Sequence, residues 1–138
     1  MKGRGNELTR FDIDPTGAYK WDLSPEGDRI AVLKRSEDRV HILSLVGQPE
    51  RLITVKGRRS LETVDWAVDS KGLFTSDAKE KSSVLLYVDL QGNADVLWEQ
   101  PGEQEGNADI YAIPSPDGRH LAMFGWTRNA NMWMLENY

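Results

Sequence analysis

The amino-acid sequence predicts an all-β protein built from three similar units of short antiparallel strands. The first support is a repeat, since Gly27, Gly72 and Gly118 follow one another at intervals of 45 and 46 residues. The second support is local composition, because the stretches between these glycines are short, rich in β-branched and aromatic residues, and bounded by Gly, Pro, Asp, Asn or Ser. The third is that no window carries the apolar stripe of an amphipathic helix.

Each of the three glycines ends a four-residue segment that has the composition of a tight turn. Residues 24–27 and 115–118 read Ser-Pro-Glu-Gly and Ser-Pro-Asp-Gly, and residues 69–72 read Asp-Ser-Lys-Gly. Proline presets φ for the second turn position, and glycine tolerates positive φ. We expect these turns to join the first and second strands of each unit, and the turns at Gly47 and Gly92 to join the third and fourth.

Four strands are expected in each unit, although the third unit ends before its fourth. Fifteen residues past the three glycines lie Ile42, Tyr87 and Trp133, each inside an apolar stretch that predicts a third strand. Fourth strands follow at 51–53 and 96–98. Residues 5–11 resemble residues 92–98, with an aromatic residue six positions after the glycine in both. The N-terminal segment is therefore predicted to supply the missing fourth strand of the last unit.

Units of four short antiparallel strands at intervals of 40 to 50 residues are typical of β-propeller blades. The predicted fold is three four-stranded blades in a single domain, at about 18–56, 61–100 and 109–138, the last completed by 6–13. Natural propellers have 4 to 8 blades. Two interpretations stay open: two chains pair into a six-bladed ring, or the chain is part of a longer propeller.

The turn sequences resemble the TolB-type, WD-like propeller repeats, whose hallmark is a Ser-Pro-Asp-Gly turn followed by an apolar strand. The resemblance is full at residues 115–122, nearly full at 24–31 and degraded at 69–74. Residues 126–137 also look like the C-terminal blades of bacterial multidomain regulators, in which a protein-kinase or winged-helix DNA-binding domain precedes the propeller. The resemblance implies a sensory or binding module of a bacterial signalling protein, and it brings no catalytic residues to this chain.

Composition argues against several classes of function. The net charge of −5 and the pI near 5.0 speak against nucleic-acid binding, despite the short basic segment 56–59. No apolar run is long enough to cross a bilayer and no signal peptide is recognisable, so no membrane insertion is expected and the compartment stays open. The absence of cysteine excludes disulfides and thiolate ligands.

No recognisable catalytic or cofactor-binding pattern appears in the sequence. The two histidines, His41 and His120, stand far apart on predicted strands, and no metal-ligand cluster accompanies either. Kinase signatures, a nucleophile elbow and a phosphate-binding loop are all missing. The sequence therefore predicts no enzyme and no cofactor. A propeller-type hydrolase or lyase remains an alternative that rests on fold analogy alone.

The candidate binding site lies on the face that gathers the second-to-third strand loops and the connections between units. Loops on a rigid sheet scaffold are favoured places for binding. The residues chosen there are Arg58, Arg59, Trp126 and Arg128, for a protein partner or a small ligand. Trp21 and Trp66 precede equivalent turns and are expected to be buried between units. The alternative role is self-assembly, with a homodimer as the simplest product.

Overall fold

A computed structural model describes residues 5–79, 82–101 and 110–125 of the chain. These residues form ten β-strands and no helix. The strands belong to three antiparallel sheets of four, four and two strands, in which sequence neighbours are also sheet neighbours. The all-β prediction is confirmed.

The first sheet runs in the order β1-β2-β3-β4. Its strands are β1 (Tyr19–Leu23), β2 (Arg29–Lys34), β3 (Arg39–Ser44) and β4 (Arg51–Thr54). The turn at Gly27 joins β1 to β2, and the turn at Gly47 joins β3 to β4, as predicted.

The second sheet repeats this order with β5 (Asp65–Trp66), β6 (Gly72–Lys79), β7 (Ser82–Asp89) and β8 (Ala94–Pro101). The third sheet pairs β9 (Ile110–Pro114) with β10 (Leu121–Gly125). The third strand predicted around Trp133 lies outside the described residues.

The N-terminal segment departs from the prediction. Residues 5–18 form no strand, in contrast to the strand expected at 6–13, and the last strand with which it was expected to pair lies outside the described residues. Phe11 instead packs edge-on against His41, with 4.8 Å between ring centroids, and against Tyr19 at 6.3 Å. The strand predicted from the resemblance to residues 92–98 is absent because a strand also needs a partner edge. The packing of Phe11 against His41 and Tyr19 places the segment on a face of the first sheet.

The turn of the second sheet lies two residues earlier than predicted. In the first and third sheets the amides of Gly27 and Gly118 donate to the carbonyls of Ser24 and Ser115, at 2.8 and 2.9 Å, and both glycines have positive φ. In the second sheet it is Ser70, with φ of 56°, whose amide donates to Ala67 O at 2.9 Å.

Gly72 therefore begins a strand and does not end a turn. Its carbonyl accepts from the amide of Ala67, as the carbonyl of Arg29 accepts from Ser24. A side chain at position 72 would bring its Cβ within 2.5 Å of the Tyr87 ring. Glycine at position 72 therefore allows the Tyr87 ring to pack closely on the strand. The turn of the second sheet still repeats those of the other two sheets, but it lies two residues earlier than predicted.

The three sheets stack face to face, with the second in the middle. One core, between the first and second sheets, is built around Leu33, Val40, Ile53, Leu73 and Leu86. A smaller core, between the second and third sheets, contains Leu85, Ile110 and Ala112, with Phe74 and Leu121 packed against it. Burial of each large side chain contributes about 2 kcal/mol to folding. The middle sheet is apolar on both faces for this reason.

The two tryptophans expected to be equivalent occupy different environments. Trp66 is buried in the larger core, whereas Trp21 is 69% exposed. The difference arises because Trp66 faces the first sheet across the larger core, whereas Trp21 lies on the face of the first sheet that points away from the second. The prediction that Trp21 is buried between units is wrong within this chain.

Candidate functional site

The first strands of the three sheets meet along one edge, which we call the common edge. Lys20 of β1 extends past β5 to β9, where its Nζ lies 3.0 Å from the Tyr111 hydroxyl and 5.3 Å from the centroid of that ring. Between them, the Trp66 amide donates to Asp22 Oδ2 at 2.7 Å, and its Nε1 donates to Asp22 O at 3.2 Å. Residues far apart in the chain are thus brought into direct contact.

Two carboxyl groups lie close together at the common edge. Burial and, to a smaller extent, nearby Asp22 raise the pKa of Asp65 to about 6, and Lys20 opposes the shift. A carboxyl with such a pKa can exchange a proton near neutral pH. Asp22 and Lys20 already have partners within the protein, so the edge is a self-satisfied polar cluster. Across the described ranges, no three acidic or histidine side chains are placed to share a metal ion.

At the end of the strands where β2 connects to β3, a buried glutamate joins the first and second sheets. Glu62 is 2% exposed and accepts from Arg35 Nε at 2.7 Å, from Ser36 Oγ at 3.1 Å and from Ser60 Oγ at 3.2 Å. Arg35 and Ser36 come from the β2–β3 loop, whereas Ser60 and Glu62 belong to the connection between the sheets. The backbone supports the same join, since the Leu61 carbonyl accepts from the amide of Ser36 and the Leu61 amide donates to the carbonyl of Glu37, both at 2.9 Å.

A second ion pair fixes the predicted site residue Arg58. Its Nη1 lies 3.4 Å from Asp77 Oδ2 on β6, and the two side chains are only 15% and 7% exposed. Asp77 also accepts from the amide of Ser60 at 3.1 Å. The structure therefore places Arg58 in the join between the sheets, whereas Arg59 beside it is exposed.

Of the four residues chosen from the sequence, the structure describes only Arg58 and Arg59. Arg58 and Arg59 are neighbours that face different surroundings, and Trp126 and Arg128 lie outside the described residues. Sequence reasoning missed Glu62 and Asp77, which organise this end of the strands. The available signal was weak: Glu62 stands four residues after Arg58 and three after Arg59, so nothing in the sequence separated it from an ordinary surface charge.

The stack ends on two open sheet faces. On the first sheet, the cross-strand row Trp21, Val32, His41 and Leu52 faces away from the second sheet, and Phe11 covers only part of it. We call this the first end face. Trp21 and Leu52 are exposed there.

The other open surface belongs to the third sheet, and we call it the third end face. Ile113 and Phe124 point away from the second sheet and are 63% and 60% exposed. A contiguous patch of exposed apolar side chains on a sheet face is a candidate interaction surface.

Comparison with protein-family models and with curated proteins finds no match for this chain. The described residues contain no helix with the length and apolarity needed to span a bilayer. Function must therefore be argued from the geometry of the sheets, the two end faces and the polar clusters.

Proposed function

We propose that this chain is a section of a β-propeller that acts as a non-catalytic interaction module. The observation that carries the proposal is the contact between Lys20 and Tyr111 at the common edge. Side chains of the first and third sheets can meet only if the sheets converge at their first strands. Twisted four-stranded sheets that stack face to face and converge at one edge have the arrangement of propeller blades.

The repeated hydrogen bonds of the turns support the same arrangement. The residues at the positive-φ position, Gly27, Ser70 and Gly118, each donate to a carbonyl three residues earlier. Each sheet then continues from the turn into its second strand in the same way. The TolB-type resemblance adds the expectation of a sensory or scaffolding role in a bacterial signalling protein.

The polar clusters favour a structural role over catalysis. Glu62 and Asp77 are engaged by arginines and by serine or backbone donors, and Asp22 is engaged by Trp66. A general acid or base must instead be within reach of substrate. Among the described residues, the end faces and Arg59 stay exposed and are available for binding a partner.

A second candidate function is self-assembly, and the presence of two exposed apolar end faces on one chain favours it. The first end face of each copy would dock on the third end face of the other, which makes two equivalent seams and a closed twofold ring of six blades. Burial of Trp21 and Phe124 would supply the apolar centre of each seam.

Light scattering over a range of protein concentrations tests both candidates. Assembly predicts a particle of twice 15.6 kDa that dissociates in the variant Trp21→Ser, while the matched variant Val96→Ser, exposed on β8, stays dimeric. A monomer with apolar faces that bind a hydrophobic dye, less so after Trp21→Ser, would support docking by other blades and contradict self-assembly. A monomer that binds no dye would contradict both candidates.

A further inference from the structure

A small cavity lies between the first and second sheets at their turn ends, away from the ion pairs described above. Its volume is about 180 Å³. The apolar part of its wall comes from Ile42, Val46 and Pro49 of the first sheet and from Leu90 in the β7–β8 turn of the second. A space of this size suits a ligand of a few heavy atoms with a short aliphatic part.

Arg51 provides the cationic wall of the cavity. It pairs across the strands with Ile42, so it lies on the side of β4 that faces the second sheet. One of its nitrogens, Nη2, donates to the backbone carbonyl of Leu90. Within the described ranges Nε and Nη1 have no partner, which leaves donors on a guanidinium that is already anchored.

A second arginine of the wall, Arg29, has more partners than Arg51. Its Nη2 donates to Ser70 O at 3.2 Å and lies 3.4 Å from Glu26, and its guanidinium lies 4.8 Å from the centre of the Trp66 ring. Its Nε donates to Asp28 at 3.3 Å. Acidic neighbours therefore offset the charge of Arg29, and the charge of Arg51 is the one left over.

The charges select the class of anion. Asp28 also lines the cavity, and the hydrogen bond from Ser24 holds the pKa of Asp28 below its usual range, so this carboxylate stays ionised. Asp28 repels a dianion such as phosphate more strongly than it repels a single carboxylate. A carboxylate can pair with two parallel N–H donors of Arg51, the second N–H of Nη2 and one on Nε or Nη1.

We propose that this cavity binds a short aliphatic carboxylate, with Arg51 holding the carboxylate and Ile42, Val46 and Leu90 packing around the alkyl chain. The carboxylate could belong to a small molecule or to the C-terminus of a peptide that ends in a residue such as valine. The cavity is lined only by residues of the first two sheets, and a carboxylate ligand goes beyond the proposed interaction role.

Backbone amide NMR of the full chain, titrated with isovalerate, tests the proposal. We expect saturable shifts at Ser44, Val46 and Leu90, with none for the neutral isostere isovaleramide. In Arg51→Gln the affinity should fall at least about tenfold, the equivalent of one charge-assisted hydrogen bond. Arg51→Lys keeps the charge without the fork and should bind at an intermediate level. The control Arg119→Gln, which removes an exposed arginine of the third sheet, should bind like the unmodified chain.

A peptide ending in valine, with a free or an amidated C-terminus, separates the two sources. Tighter binding of the free peptide than of isovalerate would assign the cavity to a chain terminus, and the reverse would assign it to a small molecule. Equal shifts with isovaleramide, or undiminished isovalerate binding in Arg51→Gln with its folded spectrum intact, would overturn the proposal.

Discussion

Replacement of Ser70 by glycine should stabilise the protein. Ser70 holds the turn position that glycine holds in the other two sheets, with φ of 56°. Its hydroxyl is buried and has no hydrogen-bond partner in the described part of the chain. The side chain therefore brings both backbone strain and an unsatisfied polar atom, and its removal leaves the backbone carbonyl that Arg29 uses in place.

The expected gain follows from three contributions. A left-handed conformation costs a non-glycine residue about 1–2 kcal/mol. A buried hydroxyl without a partner costs about 1 kcal/mol or more. Glycine loses about 0.5–1 kcal/mol more backbone entropy on folding than other residues do. The free energy of unfolding should rise by about 1–2 kcal/mol, which corresponds to about 3–8 °C in the melting temperature.

Urea unfolding followed by tryptophan fluorescence measures this change, since Trp66 is buried in the core. The reciprocal variant Gly27→Ser is the matched control. A Cβ at Gly27 would meet no atom within 4 Å, so that variant should be destabilised by about 0.5–1 kcal/mol, the backbone strain less the entropy that glycine loses on folding. An unchanged or reduced stability of Ser70→Gly would refute the turn equivalence from which the reasoning starts.

Two further predictions concern charged residues. Arg58→Ala should lower the free energy of unfolding by about 2–3 kcal/mol because it leaves Asp77 buried without its cation. The control Arg59→Ala should change it by less than about 0.5 kcal/mol, since Arg59 is exposed. Equal effects of the two substitutions in urea unfolding would contradict the assigned environments. Burial raises the pKa of Asp65 to about 6, so its carboxyl group holds a proton more tightly in the folded than in the unfolded state. The free energy of unfolding therefore falls as the pH rises from about 4 to about 6. Asp65→Asn should therefore be more stable than the unmodified chain at neutral pH, by about 1 kcal/mol once solvent screening is allowed for, and equally stable below about pH 4. A pH-independent difference between the two proteins would contradict this assignment.

Local composition predicted the strands well because the middle of the stack is apolar on both sides. The runs 40–43 and 84–88 lie within β3 and β7. In β7 alternate residues face the two cores, and in β3 alternate residues face the larger core and the first end face. The Ser-Pro-x-Gly turns were also found at their true positions, since proline and glycine supply the required dihedral angles within four residues.

What the sequence could not predict depends on contacts between distant residues. Gly72 looked like a turn glycine, but the ring of Tyr87 across the sheet is what requires it. Arg58 looked like a free cation because Asp77, nineteen residues away, becomes its neighbour only when β6 folds beside the connection. Phe11 matched a strand pattern, yet its position is set by His41 and Tyr19.

The convergence of the first and third sheets is tested most directly by a crosslink across the common edge. The chain has no cysteine, so Lys20→Cys with Tyr111→Cys introduces a unique pair of thiols. A short bismaleimide should join them within one chain, while the control pair Lys20→Cys with Gln91→Cys, whose second thiol lies in the β7–β8 turn, should stay unlinked. An intramolecular link found by mass spectrometry only in the first pair is the predicted result. Two reactive thiols that remain unlinked in the first pair would contradict the account.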